Sequence, residues 1–352
     1  MRMHKIISED VEEILSGELP YEKFYEKTVL ISGANGYVPA YFVHSFLGLN
    51  DKNQAGIKVI ALCRNYERAI ERFEDYLERD DFALLIQDVC DPIYIDREIN
   101  IFIHAASPAG IKARHDDPVN TFLTNVKGAE NMLNLAVNNP CEHFLFLSSV
   151  DVYGRMESNE RLKESDSGYL DSLDIRNAYS CGKRAAESLC KAFQVKYKLP
   201  VYIVRPFQIM GPGPKLNDGR LHIDFISQIQ EKKKIVLKSD GSAIRNFMYM
   251  TDAIKGMFYV MLKGNPGEAY NIVSEQGEMS VKELAEVMAR NVADTSVEVI
   301  FDYKQRNTIE VTGALSVVIG DSSKLKGLGW KCEYSVEEGS ARMMDYYGIE
   351  RR

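Results

Sequence analysis

Lys27-Thr-Val-Leu-Ile-Ser-Gly33-Ala-Asn-Gly36-Tyr-Val-Pro39 is a short apolar run that ends in a turn with two glycines, and a helical pattern follows at once. Glycine lets the backbone turn tightly and approach a pyrophosphate. The charge of that pyrophosphate then meets the exposed N–H groups at the start of the helix. Because the turn joins a strand to a helix in an alternating chain, it predicts a phosphate-binding cradle. The alternative interpretation is an ordinary tight turn.

Strand-like and helical segments alternate through the chain up to residue 205. The predicted strands are 28–32, 57–62, 82–86, 100–104, 143–148 and 200–204, and the predicted helices are 37–48, 65–78, 118–138 and 177–198. Such alternation implies an α/β fold, a doubly wound parallel Rossmann sheet with a smaller C-terminal substrate domain. The predicted domains are a helical extension (1–26, with a helix starting at Ser8), the dinucleotide-binding Rossmann domain (27–205) and a mainly substrate-binding domain (206–352).

Composition narrows the class of protein. A length of 352 residues suggests about two domains, and 45% hydrophobic residues suffice for sizeable cores. No apolar run reaches the ~18 residues of a spanning helix, and Met1 to Asp10 lack the apolar h-region of a secretory signal, so a cytoplasmic protein without a membrane partner is expected. The net charge of -8 gives no general attraction to nucleic acid. The six cysteines lack CxxC spacing and are interpreted as reduced thiols, and the histidines show no metal-binding pattern.

Tyr179 and Lys183 lie four residues apart in a predicted helix, which places the phenol and the ammonium on one face. A lysine charge favours phenolate, so Lys183 is expected to lower the pKa of Tyr179 toward working pH, as a proton carrier requires. The spacing alone also fits a half-buried ring beside a solvated charge. Other motifs must decide between the two.

The fifth predicted strand ends in Ser148-Ser149-Val150-Asp151, so hydroxyls and a carboxylate follow it. With Tyr179 and Lys183, this end resembles the extended short-chain dehydrogenase/reductase family of nucleotide-sugar epimerases, dehydratases and decarboxylases. The resemblance runs from Lys27 to about Glu286. It includes Asp88-Val89, His104-Ala-Ala-Ser-Pro108, Asn125-Val-Lys-Gly128, Arg205-Pro206-Phe207, Asn217-Asp-Gly-Arg220 and Arg245-Asn-Phe-Met-Tyr249 followed by Asp252.

The resemblance implies an enzyme that binds NAD or NADP and a nucleotide-diphosphate sugar. Tyr179 would take the proton of a sugar hydroxyl that Ser149 holds, and Lys183 would bind the nicotinamide ribose. Asp151 completes the implied catalytic set, and no metal is expected. The implied cofactor-binding residues are Gly33, Ala34, Asn35, Gly36, Tyr37, Val38, Arg64, Asp88, Val89, Ala105, Ala106, Asn125, Tyr179, Lys183 and Pro206. The implied substrate-binding residues are Ser107, Ser149, Gln208, Arg220 and Arg245, where the two arginines would neutralise the diphosphate. Taken singly, Asp88, Asn125 and Asp252 also fit capping or turn duty.

Several positions depart from the family pattern. Pro39 replaces the usual third glycine, and a proline is tolerated in the first turn of a helix. Arg64 follows the second strand where users of NAD usually carry an acid, which favours NADP slightly. Asp151 stands where dehydratases and UDP-glucuronate decarboxylases usually have Glu. Val150 before it cannot protonate a departing hydroxide, which weighs against 4,6-dehydration.

The reaction remains open between several outcomes. The loop that ends at Arg220 and the stretch from Ala105 to Ala109 look closest to UDP-glucuronate decarboxylases, so decarboxylation is the favoured prediction. Gln208, where that branch usually has Asn, points the other way. The alternatives are a 4-epimerase or 4,6-dehydratase, an NADPH-dependent reductase of 4-keto-6-deoxy sugars, and a non-catalytic dinucleotide sensor.

The family often forms homodimers through the helices at 118–138 and 177–198, and a homodimer is expected here. Four apolar side chains on these helices could form that interface or could equally cover the sheet: Met132, Leu135, Leu189 and Phe193.

Overall fold

The computed structural model of the chain describes residues 3–108, 110, 114, 116–293, 297–302 and 317–351. A seven-stranded parallel sheet forms its centre, in the order β10-β6-β5-β4-β1-β2-β3. These strands are β1 (Thr28–Ser32), β2 (Lys58–Cys63), β3 (Phe82–Ile86), β4 (Ile101–His104), β5 (His143–Leu147), β6 (Val201–Pro206) and β10 (Ala269–Ile272). The order reverses between β1 and β4, which is the crevice where such sheets bind ligands. The predicted doubly wound α/β fold is confirmed.

Helices cover both faces of this sheet, because alternate strand residues enter different cores. Val29 and Ile31 of β1 belong to a core with α1 (Lys5–Ile14), α2 (Tyr37–Asn53), α3 (Tyr66–Phe73) and α7 (Met250–Lys263). Leu30 points to the opposite core, which contains side chains of α4 (Pro118–Val137) and α5 (Ala178–Tyr197). Met132 is fully buried in this second core. It therefore covers the sheet, and Leu135, Leu189 and Phe193 pack partly buried against the same core.

The chain after residue 206 builds a third core and returns once to the large sheet. Its small strands are β7 (Gln208–Met210), β8 (Lys234–Leu237), β9 (Ile244–Tyr249), β11 (Glu278–Ser280), β12 (Glu298–Phe301) and β13 (Val317–Val318). Its helices besides α7 are α6 (Leu221–Lys232), α8 (Val281–Asn291), α9 (Ser323–Lys326) and α10 (Val336–Tyr346). Strand β10 pairs with β6 and extends the large sheet. The C-terminal part therefore supplies an edge strand of the Rossmann sheet as well as its own core.

The N-terminal helix α1 starts earlier than the sequence predicts. It begins at Lys5, where the His4 ring accepts a hydrogen bond from the N–H of Ile6, and Ser8 already donates to the carbonyl of His4. The prediction that Ser8 starts the helix is wrong, because an imidazole nitrogen nearer the terminus serves as the cap. One acidic residue of α1 lies inside the protein and is described next.

Asp10 is fully buried between α1 and three other elements. Its carboxylate accepts hydrogen bonds from Tyr41 at 3.0 Å, Tyr249 at 2.9 Å and Arg342 at 2.7 Å. Burial raises the pKa of Asp10 to about 6, and the arginine and the two hydroxyls work against that rise. Through this carboxylate, α1 joins the helix after the glycine turn to the C-terminal part of the chain.

Candidate active site

The glycine turn between β1 and α2 has a backbone that only glycine adopts readily. Gly33 has a φ of 66°, and a Cβ at this position would lie 2.7 Å from the Cα of Ala106. The N–H of Gly36 donates to the carbonyl of Gly33 at 2.8 Å, which closes the turn around Ala34 and Asn35. Two chain segments thus approach each other more closely than a side chain permits, as a cradle for a pyrophosphate requires.

The first turn of α2 follows directly and contains Tyr37, Val38 and Pro39. Pro39 fits there because the first N–H groups of a helix have no acceptor within it. The hydroxyl of Tyr37 donates to the carbonyl of Gly211 at 3.1 Å, and the guanidinium of Arg220 lies 4.7 Å from the centre of the Tyr37 ring. The helix start is therefore attached to the C-terminal part of the chain.

Two residues to which the sequence analysis gave no role, Ser32 and His104, fix the end of β4. Ser32 Oγ lies 2.7 Å from His104 Nδ1 and accepts hydrogen bonds from the N–H groups of Ala105 and Ala106. Burial, together with the charge of Lys183, lowers the pKa of His104 to about 3, so its ring is neutral. This contact holds the backbone of Ala106 against Gly33.

The residues after β2 and β3 lie side by side at the same edge. Arg64 Nη1 is 3.6 Å from a carboxylate oxygen of Asp88. The other oxygen of Asp88 accepts from the N–H of Cys90 at 2.9 Å, so this carboxylate does serve as a turn residue. Val89 is buried and packs directly against Gly128, where an added Cβ would lie 2.9 Å from Cγ1 of Val89. A cation and a carboxylate are therefore both available next to the crevice.

Ser149, Asp151 and Tyr179 come together beyond the end of β5. Ser149 Oγ accepts from the N–H of Asp151 at 3.2 Å and caps the short turn that follows. Burial raises the pKa of Tyr179, while the charge of Arg114 and a hydrogen bond with Ser149 lower it. The predicted lowering by Lys183 is thus wrong, because desolvation dominates and the main opposing cation is an arginine.

Lys183 is buried on the same helix as Tyr179 but is turned toward the sheet. Its Nζ donates to the carbonyl of Leu147 at 2.6 Å and lies 5.8 Å from the centre of the Tyr179 ring. Burial, followed by the charge of Arg114, lowers the pKa of Lys183 to about 7. The ammonium therefore loses much of its charge near neutral pH.

Arg114, in the segment after β4, was not predicted from the sequence. The carbon at the centre of its guanidinium lies 3.4 Å from the centre of the Tyr179 ring, which is a close cation–π contact. Its Nη1 donates to Asp151 and its Nε to the carbonyl of Pro108, both at 3.1 Å. Ala109, which belonged to one of the predicted motifs, lies outside the described residues.

Buried polar atoms near the helix of Tyr179 have no partner among the described residues. Asn125 Nδ2 donates to the carbonyl of Thr121 at 2.7 Å, but Asn125 Oδ1 accepts from no described group. Ser107 Oγ and His104 Nε2 are orphaned in the same way. Buried polar groups are normally hydrogen-bonded, so these atoms fit a polar ligand. Together with the cradle at Gly33, they fit a dinucleotide.

The predicted substrate residues surround the same cleft from the C-terminal side. Arg220 forms an ion pair with Asp218, and its charge lowers the pKa of Tyr179. Burial lowers the pKa of Arg245, and the carboxylate of Asp151 opposes this effect. Gln208 is exposed at the start of β7, directly after the end of β6 at Pro206. The structure thus brings two predicted arginines into electrostatic reach of the tyrosine and its neighbouring carboxylate.

The described residues offer little for other classes of site. Among them, no cluster of three or more His, Cys, Asp or Glu side chains is arranged to hold a metal ion. No helix in the same part of the chain has the length and apolar character needed to span a bilayer.

Comparisons with known proteins agree with this architecture. The model of the NAD dependent epimerase/dehydratase family matches residues 29–273. UDP-glucuronic acid decarboxylase 1 of Arabidopsis thaliana is 30% identical over 317 residues, which cover 90% of this chain and 68% of that protein. dTDP-D-glucose 4,6-dehydratase of Homo sapiens is 25% identical over 334 residues, which cover 92% and 90%. The solved UDP-glucuronic acid 4-epimerase of Bacillus cereus, in complex with UDP-glucuronic acid and NAD, has a TM-score of 0.74 at 20% identity and covers 91% of this chain and 99% of that one.

Proposed function

The chain belongs to the NAD-dependent epimerase/dehydratase family of nucleotide-sugar enzymes, and we propose that it decarboxylates a nucleotide-bound uronic acid such as UDP-glucuronate. The observation that carries the choice of reaction is its 30% identity, over 90% of the chain, to a UDP-glucuronic acid decarboxylase. The relative arrangement of the glycine cradle, Ser149 and Tyr179 supports the chemistry.

Tyr179 is the proposed proton acceptor for the hydroxyl on C4 of the sugar. Ser149 holds the same oxygen, since its Oγ lies next to Tyr179 at the end of β5. The turn at Gly33 would hold the dinucleotide, which when bound would supply a reversible hydride acceptor for C4. Asn125 Oδ1 and Ser107 Oγ, which have no hydrogen-bond partner among the described residues, would bind the dinucleotide or the nucleotide sugar. Arg220 and Arg245 would meet the diphosphate, because guanidinium groups match phosphate oxygens.

A ketone at C4 makes the carboxylate at C6 easy to lose. The bond between C5 and C6 breaks, its electron pair moves toward the C4 oxygen, and carbon dioxide leaves. A proton then returns to C5. In this proposal Asp151 accepts the hydrogen bond of Arg114 and orients the arginine and the sugar.

Epimerisation at C4 is the second candidate. It needs only Tyr179 and Ser149, and the carboxylate of Asp151 is already engaged in an ion pair with Arg114 at 3.1 Å. Dehydration is disfavoured because Val150 is a buried hydrocarbon at the position before that carboxylate.

The cofactor is proposed to be NAD. Arg64 is the residue that favours NADP, but its guanidinium lies near Asp88, so part of its charge is already balanced. Calorimetric titration with NAD and NADP compares the two directly. We expect tighter binding of NAD, and a preference of tenfold or more for NADP would contradict this choice.

The reaction is tested by mass spectrometry after incubation with NAD and UDP-glucuronate. We expect loss of carbon dioxide from the substrate, and Tyr179→Phe should lower the rate at least ~100-fold because the proton acceptor is gone. Tyr94→Phe is the matched control, since the side chain of Tyr94 is 86% exposed on the surface. A product of unchanged mass that separates from UDP-glucuronate by chromatography would establish epimerisation instead. No change in the substrate, with NAD bound, would refute both reactions.

A homodimer is part of the proposal. Val119, Phe122 and Leu123 of α4 form an apolar groove with Leu173 and Ile175, and these last two are 90% and 63% exposed. Single exposed apolar residues are ordinary, and what supports an interface here is that these five are contiguous. The groove lies on the two helices through which family members often pair.

Light scattering coupled to gel filtration tests the dimer. We expect twice the mass of 39.9 kDa. Leu173→Glu combined with Ile175→Glu should give the monomer, whereas Val195→Glu, an exposed apolar position near the end of α5, should not. A wild-type chain that elutes as a monomer at micromolar concentration would contradict the proposal.

A further inference from the structure

Arg114 is held against the catalytic tyrosine from three sides. Its guanidinium stacks on the Tyr179 ring at 3.4 Å. Asp151 and the carbonyl of Pro108 each accept one of its hydrogen bonds at 3.1 Å. Its side chain is only 26% exposed. These contacts fix a planar cation over the face of the phenol, which an arginine in solvent would not maintain.

Lys183 is less suited to supply a permanent charge at this place. Its Nζ is 5.8 Å from the centre of the same ring and donates to the carbonyl of Leu147. Burial lowers its pKa to about 7. A guanidinium, in contrast, stays protonated at every pH at which the protein is folded. Of these two side chains, the arginine also lies closer to the ring.

We propose that Arg114 is a positioning residue that supplies the permanent positive charge favouring the phenolate form of Tyr179, and that Asp151 and Pro108 hold it on the ring. The inference rests on the proposed function, in which Tyr179 accepts a proton. The charge that favours the phenolate would then come from the segment after β4, whereas the sequence predicted that it comes from Lys183, on the same helix as Tyr179.

The physical basis is the electron density of the ring. A phenolate ring is richer in electrons than a phenol ring, so a cation over its face stabilises the ionised form more. Tyr179 is buried, and a charge acts more strongly across a short distance when water is excluded. The cation therefore offsets part of the cost that burial imposes on the phenolate.

Other groups around the phenol must be counted. Asp151 raises the pKa of Tyr179, while Ser149 and Arg220 lower it along with Arg114, and burial is the largest effect of all. Lys183 faces the ring from one helical turn away. Arg114 is the strongest of the effects that favour phenolate, so its removal should move the titration most.

The test places a ring-fluorinated tyrosine at position 179 of the full chain with NAD bound and follows its ionisation by fluorine NMR. Fluorine lowers the pKa of the phenol, which brings the titration into the range where the protein is folded. We expect Arg114→Gln to raise the midpoint by about one pH unit or more. Arg114→Lys should recover a substantial part of the shift, because it keeps the charge but loses the flat stacked geometry.

Arg176→Gln is the matched control. Arg176 forms an ion pair with Asp174 at 2.6 Å just before α5, and its side chain is 46% exposed. This variant should leave the midpoint unchanged. An equal midpoint in Arg114→Gln and the unaltered chain, with NAD binding retained, would overturn the proposal. The titration needs no turnover, so a chain that fails to act on UDP-glucuronate still gives a decisive result.

Discussion

Replacing Gly33 by alanine tests whether the cradle depends on a close approach of two chain segments. Gly33 has a φ of 66°, and the added Cβ would lie 2.7 Å from the Cα and 2.9 Å from the N of Ala106. The substitution therefore has two costs: the Cβ clashes with the backbone of Ala106, and alanine must adopt a left-handed conformation. Neither can be relieved by rotating a side chain.

The cost follows from these contacts. A residue with a Cβ pays about 1–2 kcal/mol in the left-handed region. Ala106 must also move by about 0.8 Å to restore a carbon separation near ~3.5 Å. That shift weakens the hydrogen bond from its N–H to Ser32 Oγ, which contributes about 1 kcal/mol. We therefore expect Gly33→Ala to lose about 2–3 kcal/mol of unfolding free energy.

Cofactor binding should fall as well, because the displaced backbone no longer fits a pyrophosphate. Urea unfolding without cofactor measures the first effect, and calorimetric titration with NAD measures the second, where we expect at least a tenfold loss, about 1.4 kcal/mol. Gly17→Ala is the control, since a Cβ there meets nothing within 4 Å. Equal stability and equal NAD affinity in the two variants would refute the reasoning.

Three further variants test charges inside the protein. The pKa of Asp10 is raised to about 6 from 3.8, so between these values the folded chain keeps a proton that the unfolded chain loses. The free energy of unfolding should therefore fall by up to ~3 kcal/mol as the pH rises from 4 to 6. Asp10→Asn should abolish this pH dependence in urea titrations, and an unchanged dependence would contradict the prediction. The pKa of Lys183 is lowered to about 7, so the protonated side chain destabilises the folded chain. Lys183→Met should therefore stabilise the cofactor-free protein by ~1–2 kcal/mol at pH 6 and by less at pH 9, while removing activity. A variant that is less stable than the unaltered chain at pH 6 would count against this prediction. Glu187 and Arg205 form an ion pair at 2.7 Å, and both side chains are 12% exposed. Glu187→Leu would leave Arg205 buried without its partner, so thermal and urea unfolding should show a loss of ~3 kcal/mol that adding Arg205→Met largely restores. Strictly additive losses in the two single variants would argue against the ion pair.

The strands of the large sheet were predictable where the signal is local. The run that ends at Ser32 is apolar and is closed by a glycine turn, so its limits can be read from a few neighbouring residues. Strand β10 was not predicted, because Ala269–Ile272 is only four residues long and becomes a strand by pairing with β6 far along the chain. Helix α1 was placed with the wrong start, since Ser8 is a frequent cap but His4 serves instead.

The candidate site divides in the same way. Tyr179 and Lys183 lie on one helix, Ala178–Tyr197, close to the predicted 177–198. Their spacing of four residues was therefore enough to predict that they lie near each other. The charge of Lys183, in contrast, depends on burial, which spacing does not reveal. Arg114 is a single arginine in an irregular segment, and only the folded chain brings it onto the ring of Tyr179. The sequence offered one faint signal, a basic residue beyond the carboxyl end of a strand.

The carboxylate of Asp10 also sets an order of events during synthesis. Its partners Tyr249 and Arg342 are 239 and 332 residues away along the chain. Of the described elements helix α1 leaves the ribosome first, yet the hydrogen bonds to its Asp10 are complete only when Arg342 has emerged. Until then its apolar side, with Ile7, Val11 and Ile14, has only part of its final partners, because α2 emerges early and α7 much later. We expect the nascent chain to need protection of this first segment for most of its translation, since exposed apolar surface favours aggregation.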